Sequence, residues 1–325
     1  MSDYLQQRPA ALDRLLSRST LLHNGNAGLD ETLYRWFGFK ASGQRNLPDA
    51  PLTYRSDAGQ AASGYLMRAD PVHLRADQSS LRLFDAATFP LTQEEADELV
   101  TAFNAFYAGH GLQLHAPCPR RWYLSCATTP AITTTALSRV AGQDINAFLP
   151  QGEAAAEWRQ RLNEVQMLLH DHPVNVAREQ RAEPAINSLW FWGGGLSPDT
   201  LQSRVARIVT DHPLGMGLAL QAGTPRTDVP AAARELLPLA GDGVTLLIND
   251  VLASATRYGD VEHWLEALNE LEKHWFVPVL AALRQGVLSS LEIDPCDRTR
   301  FVINRRQQHY FWKRDRSFES LCRHD

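Results

Sequence analysis

Cysteine and methionine are scarce in this chain of 325 residues, which has four of each. The cysteines show no CxxC spacing, so the sequence supports neither a zinc ribbon nor a disulfide framework. They are Cys118, Cys126, Cys296 and Cys322. No window of the sequence stays apolar over the length of a membrane span. Because Asp3, Arg8 and Asp13 also interrupt the place where a signal peptide needs an apolar core, we expect a cytoplasmic protein with no membrane partner.

Neither sign of charge dominates the composition. Lysine and arginine together number 32, against 37 aspartates and glutamates, which gives a net charge of −5. Nucleic-acid-binding proteins are usually basic, so this balance suits solubility better than the binding of a polyanion. The hydrophobic content of 44% is enough to build a buried core in one large domain or two ordinary ones.

Two short strands and a helix are predicted in the first third of the chain. The strands are GYLMRADPVHL and SSLRLFD, which flank a turn around Arg75–Ser80 and predict a hairpin. Thr92 and Glu95 then have the spacing of a capping box, the pattern that begins a helix. Apolar residues follow at helical spacing and end at Gly109 or Gly111.

Alternating strand and helix patterns fill the rest of the chain. Helical spacing at 153–170 must stop at His172-Pro173, because a proline disfavours helix in the residue before it. The run NSLWFW predicts a buried strand that leads into a tight turn at Gly193–Gly195. Further strands are predicted at Val244–Ile248, Leu291–Ile293 and Phe301–Ile303, and a long helix from Val261 to Trp275. This alternation favours a parallel sheet with helical crossovers.

The densest polar cluster is HDHPVNVAREQRAEPAINSLWFWGGG at residues 170–195. Arginine offers a planar donor fork and a glycine turn exposes backbone N–H groups, so this segment is suited to binding an anion. The alternative is a structural junction in which Asn175 and Asn187 cap turns, Arg178 pairs with a carboxylate and the tryptophans fill the core. His170 and His172 lack cysteine or carboxylate partners at ligand spacing, so no metal site is predicted here.

Two further clusters have both a functional and a structural interpretation. In RADPVHLR, Asp70 and His73 offer an acid/base pair, but no nucleophile elbow accompanies them. Their structural interpretation is a turn at Asp70-Pro71 with His73 bonded to the backbone. The tail Arg305–Arg316 (RRQQHYFWKRDR) interleaves five basic side chains with aromatic ones, as single-strand nucleic-acid surfaces do. It also fits an edge strand protected by basic residues.

Two segments carry a resemblance to a known family. They are ADPVHL at Ala69–Leu74 and LNEVQMLLHDHPVN at Leu162–Asn175. Together with residues 172–195, they resemble the archaeal-type cofactor-independent phosphoglycerate mutases and, most closely, the bacterial RpfE-type regulatory proteins. The resemblance is strongest over residues 60–195. It implies an α/β fold: an alkaline-phosphatase-like core with a mainly parallel sheet and helical crossovers at 1–66 and 151–325, plus a smaller α+β insertion at 67–150.

The resemblance also implies that the catalytic apparatus is missing. The related enzymes hold a serine or threonine nucleophile between two divalent cations. In this sequence Arg8 stands near the place of the hydroxyl, and no histidine lies between Asp250 and Asp260. Pro295 follows Asp294 where those enzymes have a histidine, and proline is no metal ligand.

We therefore expect a catalytically silent protein with a regulatory role, which binds a small anionic ligand or a protein partner. The expectation includes no catalytic residue, no cofactor and no metal. Two alternatives remain open: a metal-independent phosphotransfer enzyme or hydrolase that uses Asp70 and His73, and nucleic-acid binding through the basic tail. The predicted ligand site lies near the junction of core and insertion. Its residues are Asp70, His73, His172, Asn175, Arg178, Asn187 and Trp190.

Overall fold

Contacts between residues divide the chain into two units. The structure, a computed structural model, describes residues 9–23, 28–39, 46–77, 80–239, 241–310 and 313–317. The first unit is built from Met1–Trp36, Ser203–Asp211 and Pro225–Asp325, and the second from Phe37–Gln202 and His212–Thr224. Residues 67–150 lie within the second unit, and the predicted domain limits on either side of them stay a prediction.

The described residues form helices and strands in a mixed order. The helices are α1 (Ala10–Arg18), α2 (Leu29–Trp36), α3 (Asp49–Ala58), α4 (Gln93–Phe106), α5 (Leu137–Val140), α6 (Ala155–His170), α7 (Pro173–Gln180), α8 (Pro213–Ala222), α9 (Ala233–Leu236), α10 (Val251–Tyr258), α11 (Val261–Leu271) and α12 (Val277–Gln285). The strands are β1 (Thr20–His23), β2 (Tyr65–Asp77), β3 (Ser80–Asp85), β4 (Leu112–Cys118), β5 (Arg121–Cys126), β6 (Ser188–Gly195), β7 (Arg207–Val209), β8 (Arg226–Thr227), β9 (Thr245–Leu247), β10 (Ser290–Ile293) and β11 (Thr299–Asn304). None of the described helices is both long and apolar enough to cross a membrane.

The second unit is organised around β2, the longest described strand. β2 pairs antiparallel with β3, β5 and β6, and β4 pairs antiparallel with β5. The β2–β3 pair is the predicted hairpin, and β6 is the predicted buried strand. Only a few residues separate β2 from β3 and β4 from β5. Such short connections cannot cross over, so these neighbours must run antiparallel.

Parallel pairing among the described strands is confined to the first unit. There β7 pairs in parallel with β8 and β9, whereas the sheet β1-β11-β10 is antiparallel. Six of the eight described strand pairings are therefore antiparallel. The expected mainly parallel sheet is not confirmed. Three of the six antiparallel pairs, β2–β3, β4–β5 and β10–β11, are joined by hairpin connections too short to hold a helical crossover.

One face of the second unit's sheet carries its main core. The hydroxyl of Thr92 accepts a hydrogen bond from the Glu95 N–H at 3.2 Å, and the Glu95 carboxylate accepts from the Thr92 N–H, so α4 begins at the predicted capping box. Helices α4 and α6 pack on this face. Phe103, Trp122 and Trp158 are each at most 2% exposed there. The apolar spacing that predicted α4 and α6 therefore marks the sides that contact the sheet.

The opposite face of this sheet is covered by α3. Ala50 of α3 packs with Leu66 and Tyr123 of the sheet. Helix α3 also packs closely on α8, where Gly217 lies so near the Leu52 carbonyl that a Cβ atom would overlap it. A glycine is therefore required at the crossing of these two helices.

The three glycines at Gly193–Gly195 are part of β6, so the tight turn expected there is wrong. Gly193 has a φ of +61°, in the left-handed region that favours glycine. A Cβ atom on Gly194 would overlap the Tyr65 hydroxyl, and one on Gly195 would lie 2.6 Å from Pro48 Cβ. Glycine is needed at these positions because the backbone lies close to neighbouring groups, and not because the chain changes direction.

Helix α1 is central to the first unit. Ala11 and Leu15 pack against Leu280, Leu283 and Ile303. The N-terminal end of α1 is held by Glu272, whose carboxylate accepts hydrogen bonds from two backbone N–H groups at 2.6 and 3.1 Å. Glu272 belongs to a π-helical turn (Glu272–Phe276) that joins α11 to α12 within the predicted long helix.

Candidate functional site

Asp70 lies in the middle of β2 on the face covered by α3, and only 1% of the residue is exposed. Arg68 donates from Nη2 and Nε to Asp70 Oδ1 at 2.6 and 3.0 Å. Trp192 Nε1 donates to the other carboxylate oxygen at 2.7 Å. Burial opposes the charge of Arg68, but the Asp70 carboxylate outweighs it and raises the pKa of the guanidinium. Asp70 and Arg68 are therefore a buried ion pair.

A second ion pair lies beside the first. Asp57 of α3 accepts hydrogen bonds from Arg121 Nε and Nη2 of β5, both at 2.7 Å, and from the Tyr123 hydroxyl at 2.5 Å. Burial opposes the ionisation of Asp57, but the bonds from Arg121 and Tyr123 hold its pKa below the ordinary value. The Arg68 guanidinium lies 5.1 Å from the ring centres of both Tyr123 and Trp192.

These contacts join the two ion pairs into one group, which we call the buried network. Its members are Asp57, Arg68, Asp70, Arg121, Tyr123 and Trp192. Each carboxylate in it is paired with a guanidinium, so it fixes α3 on the sheet rather than offering a free acid or base. The Cys118 thiol lies 3.7 Å from Asp57 Oδ2, and burial raises its pKa, which disfavours the reactive thiolate.

Of this buried network, only Asp70 is among the site residues predicted from the sequence. Residues two apart on a strand share a face, so Arg68 with Asp70, and Arg121 with Tyr123, were available as pairs from their spacing. The pairing of β2 with β5 and the position of α3 above them depend on tertiary structure.

His73 also lies on β2, three residues after Asp70 and therefore on the opposite face of the strand. Its Nδ1 is 2.8 Å from the Ala185 carbonyl oxygen, which is the backbone bond of the structural interpretation. The turn expected at Asp70-Pro71 is wrong, because both residues lie inside β2. The geometry thus places the proposed acid and base on different sides of one strand.

Arg178 of α7 has a structural partner for each of three nitrogens. Nε donates to the Pro184 carbonyl at 2.8 Å, and Nη2 donates to the Pro90 carbonyl at 2.9 Å. Nη1 forms an ion pair with Glu95 at 2.8 Å. Glu95 is also the residue that closes the capping box of α4. Arg178 therefore ties α7 to the start of α4, and its pairing with a carboxylate is the one that the structural alternative predicted.

The side-chain amides of Asn175 and Asn187 each form two hydrogen bonds with one backbone residue, as a neighbouring strand would, at the segment before β6. Asn175 exchanges two hydrogen bonds with the backbone of Ile186, at 2.8 and 2.9 Å. Asn187 exchanges two with the backbone of Leu74, at 2.7 and 2.8 Å. Every residue of the segment Pro184–Asn187 thus has a hydrogen-bond partner outside the segment. In chain order, the four partners are Arg178, His73, Asn175 and Leu74.

His172 and Trp190 lie at the ends of this region. His172 begins α7, where its Nδ1 accepts from the Val174 N–H at 3.3 Å, and burial lowers its pKa. Helix α6 ends before Pro173, as predicted, whereas α7 was not predicted; it starts at Pro173 because proline suits the first helical position. Trp190 is buried, and its Nε1 donates to the Thr135 carbonyl at 2.9 Å.

The structure thus gathers four of the seven predicted residues around the segment Pro184–Asn187. They are His73, Asn175, Arg178 and Asn187. Asp70 belongs to the buried network, His172 begins α7 and Trp190 is a buried residue of β6. The contacts described here are structural ones, and ligand binding by this set stays a prediction.

The acidic residues that the resemblance singled out lie in the first unit. Asp294 follows β10; its Oδ2 is 3.3 Å from Arg35 Nη2, and its Oδ1 accepts from the Cys296 N–H at 2.8 Å. Asp260 begins α11 and lies 2.6 Å from His263 Nδ1, a contact that raises the pKa of His263. Asp250 begins α10. Within the described residues, no three His, Cys, Asp or Glu side chains are grouped so as to hold a metal ion. Arg8 lies outside the described residues.

An open groove of about 820 Å³ lies at one end of the second unit's sheet. Its walls include Gly64, Tyr65, Gly111, Ser125 and Cys126. Burial raises the pKa of Tyr65 to about 12 and that of Cys126 to about 12, so both groups are protonated at neutral pH. The groove therefore presents hydroxyl, thiol and backbone groups rather than charge.

The fold and these contacts define an α/β protein in which paired charges and backbone-bonded polar side chains hold the second unit together. No model of a known protein family matches the chain. It is 22% identical over 240 residues to the 2,3-bisphosphoglycerate-independent phosphoglycerate mutase of Methanosarcina mazei. The aligned residues cover 69% of this chain and 59% of that protein. It is 23% identical over 270 residues to the probable enzyme of the same name from Geobacter sulfurreducens, covering 73% and 66%.

These sequence matches show that the chain is distantly homologous to the cofactor-independent phosphoglycerate mutases. It spans 59% to 66% of the length of these two curated relatives. Among solved structures, the PH0037 protein from Pyrococcus horikoshii has a similar fold, with a TM-score of 0.52 at 15% identity over 94% of this chain and 83% of that one. The cofactor-independent phosphoglycerate mutase of Thermoplasma acidophilum gives a TM-score of 0.37 at 16% identity over 82% and 75%.

Proposed function

We propose that this chain is a catalytically silent relative of the phosphoglycerate mutases, of the RpfE regulatory type, that binds a small anionic ligand or a protein partner. The mutase activity belongs to the relatives by name, and we propose that this chain has lost it. The proposed place of action is the cytoplasm, since the described cysteines, Cys118, Cys126 and Cys296, are all free thiols, as a reducing compartment favours.

The contact between Arg35 and Asp294 is the observation that carries this proposal. The resemblance places a metal-ligand pair at the end of the strand that Asp294 follows. In this chain the carboxylate faces the Arg35 guanidinium at 3.3 Å and accepts a backbone hydrogen bond. A divalent cation would have to displace this guanidinium, whose positive charge also repels it. Protein groups thus already satisfy the charge that would draw a cation to Asp294.

The test is whether the purified full chain binds a divalent cation or interconverts phosphoglycerates. We expect Mn²⁺ to leave the melting temperature unchanged and no conversion of 3-phosphoglycerate to 2-phosphoglycerate. A specific metal site would stabilise the fold by about 2.7 kcal/mol at a hundredfold excess of Mn²⁺ over its Kd. The Methanosarcina mazei enzyme, assayed in parallel, is the positive control.

The variant Asp294→Asn makes this test specific. A Mn²⁺-dependent rise in melting temperature that disappears in Asp294→Asn would contradict the proposal, because Asp294 would then be a metal ligand. Measurable mutase activity in the full chain would contradict it as well. A metal-independent hydrolase built on Asp70 and His73 has no support from the geometry, since these residues lie on opposite faces of β2.

A further inference from the structure

The basic C-terminal segment lies against α1 in the first unit. Arg18 Nε is 3.3 Å from Asp315 Oδ1, and Arg18 Nη1 donates to the Gln308 carbonyl. The Ser17 hydroxyl and the Arg316 backbone exchange two hydrogen bonds. These contacts bring the described part of the basic tail beside the C-terminal half of α1.

Three arginines from separate parts of the sequence meet in this region. Arg14 and Arg18 lie one turn apart on the same side of α1. Helix α12 packs on α1 through Leu15 and Leu283, and Arg284 is the next residue of α12. Burial lowers the pKa of Arg14, and the positive charges of Arg284 and Arg18 lower it further. The positive charges of Arg18 and Arg284 therefore both act on the Arg14 guanidinium.

Among the described residues, one carboxylate acts on the charge of Arg14. Asp315 is the acidic group whose charge acts favourably on Arg14, and it already pairs with Arg18. Lys313, whose Nζ lies 3.4 Å from the Ser19 carbonyl oxygen, adds a further positive charge. Within the part of the chain that the structure describes, these positive charges thus share one carboxylate, an arrangement that an anion would stabilise.

Two buried polar groups in the same region lack partners. Arg14 Nε is shielded from solvent and has no hydrogen-bond partner within the described residues. The Gln308 residue is 3% exposed, and neither atom of its side-chain amide has a partner there. The Gln308 backbone carbonyl accepts from Arg18, so Gln308 is a neighbour of the arginine cluster. Native proteins rarely leave such groups unsatisfied, so both have hydrogen-bonding capacity left for a ligand.

We propose that Arg14, Arg18 and Arg284, together with Lys313, bind a small phosphate-bearing anion. Guanidinium groups present planar donor forks that match phosphate oxygens, and a phosphate would supply the missing negative charge. The Gln308 amide would donate to the same group. This site lies outside the seven residues predicted from the sequence. It deepens the ligand-binding part of the proposed function, and the metal and mutase assays above do not bear on it.

A single-stranded nucleic acid would use the same charges in another way. Such binding depends on a groove that follows many phosphates and on aromatic side chains that stack with bases. Here Arg14, Arg18 and Arg284 belong to two packed helices, and the charges of Arg18 and Arg284 act on Arg14, which favours a compact ligand. We therefore commit to the small anion and treat the nucleic acid as an outcome of the test.

The experiment is calorimetric titration of the purified full chain with inorganic pyrophosphate and, separately, with inorganic phosphate. We expect binding of pyrophosphate that weakens as salt concentration rises, and an increase in melting temperature with the ligand. Arg14→Gln and Arg284→Gln should each weaken binding about tenfold, because each removes charged hydrogen bonds to the anion. Arg82→Gln, at an exposed arginine of the second unit, should bind like the unmodified chain.

Stability without ligand separates binding from a structural role. Because Arg14 is repelled by Arg18 and Arg284, Arg14→Gln should melt no lower than the unmodified chain in the absence of pyrophosphate. The proposal is wrong if the unmodified chain does not bind pyrophosphate, or if Arg82→Gln weakens binding as much as Arg14→Gln does. It is also wrong if a single-stranded oligothymidylate binds through these residues and pyrophosphate does not.

Discussion

At the scale of single residues, the environment of Asp70 decides its chemistry. A carboxylate in an Asp-Pro dipeptide three residues before a histidine suggested an acid/base pair or a turn. In the fold it is buried, and it pairs with Arg68 and accepts from Trp192. Removing one partner of a buried ion pair leaves an uncompensated charge, which costs far more than the pair itself contributes.

We therefore predict that Arg68→Met lowers the free energy of unfolding by about 3 to 5 kcal/mol, because Asp70 loses its counter-charge in the interior. Urea unfolding followed by circular dichroism measures this change. Arg75→Met, at an exposed position of the same strand, is the matched control and should cost less than about 1 kcal/mol. The double variant Arg68→Met with Asp70→Leu should recover much of the loss. A cost for Arg68→Met equal to that of Arg75→Met would show that the pair is not buried as described.

At the scale of secondary-structure elements, the packing of α3 on α8 depends on one glycine. Helix propensity alone predicts that Gly217→Ala stabilises α8 by up to about 1 kcal/mol. The structure predicts the opposite sign, because the new methyl group would overlap the Leu52 carbonyl of α3. We expect a loss of about 1 to 3 kcal/mol, since overpacking forces the backbone to shift.

Thermal and urea unfolding of Gly217→Ala check this prediction. Leu220→Ala, on the exposed side of the same helix, is the control and should change stability by less than about 0.5 kcal/mol. If Gly217→Ala were more stable than the unmodified chain, helix propensity would dominate and the close crossing of α3 and α8 would be wrong.

The segment between α7 and β6 is held in place by hydrogen bonds between side-chain amides and backbone groups. Asn187 pairs with Leu74 by its side chain just where the β2–β6 ladder stops, and Asn175 does the same with Ile186 from the other side. Polar residues that looked like a ligand-binding loop thereby satisfy backbone groups that would otherwise be buried without partners.

At the scale of the whole molecule, we expect the fold to lose stability at alkaline pH. The ordinary pKa is 10.0 for Tyr65 and 9.0 for Cys126, and burial raises both to about 12. Burial also raises the pKa of Tyr107 and Tyr123. Each of these groups keeps its proton longer in the folded chain than in the unfolded chain. Their contribution to stability is complete below the unfolded pKa and is lost as pH rises through the folded pKa.

We predict that the free energy of unfolding falls between pH 9 and 12, by roughly 1.4 kcal/mol per pH unit for each group that ionises only on unfolding. Urea unfolding at several pH values, with tyrosinate absorbance as a second observable, measures this slope. The double variant Tyr65→Phe with Cys126→Ala should show a shallower decline, whereas Tyr310→Phe in the first unit should not. A decline that is equally steep in the double variant would exclude Tyr65 and Cys126 as its cause.

The sequence by itself determined the local elements and the class of fold. The hairpin, the capping box of α4, helix α6 and strand β6 were predictable because they depend on hydrophobic period and on hydrogen bonds between near neighbours in the chain. The distant relationship to the phosphoglycerate mutases was also recognisable from short segments of sequence.

Beyond the predicted hairpin, only the tertiary structure decided the direction of strand pairing and the partners of the polar side chains. Asp57 and Arg121 are 64 positions apart, and Arg14 and Arg284 belong to opposite ends of the chain. Charge pairing acts through space, and no local period records contacts between distant segments, so spacing predicted neither the Asp57–Arg121 pair nor the meeting of Arg14 with Arg284. The same reason explains Arg178, which looked available for an anion but is bonded to Glu95, 83 positions earlier.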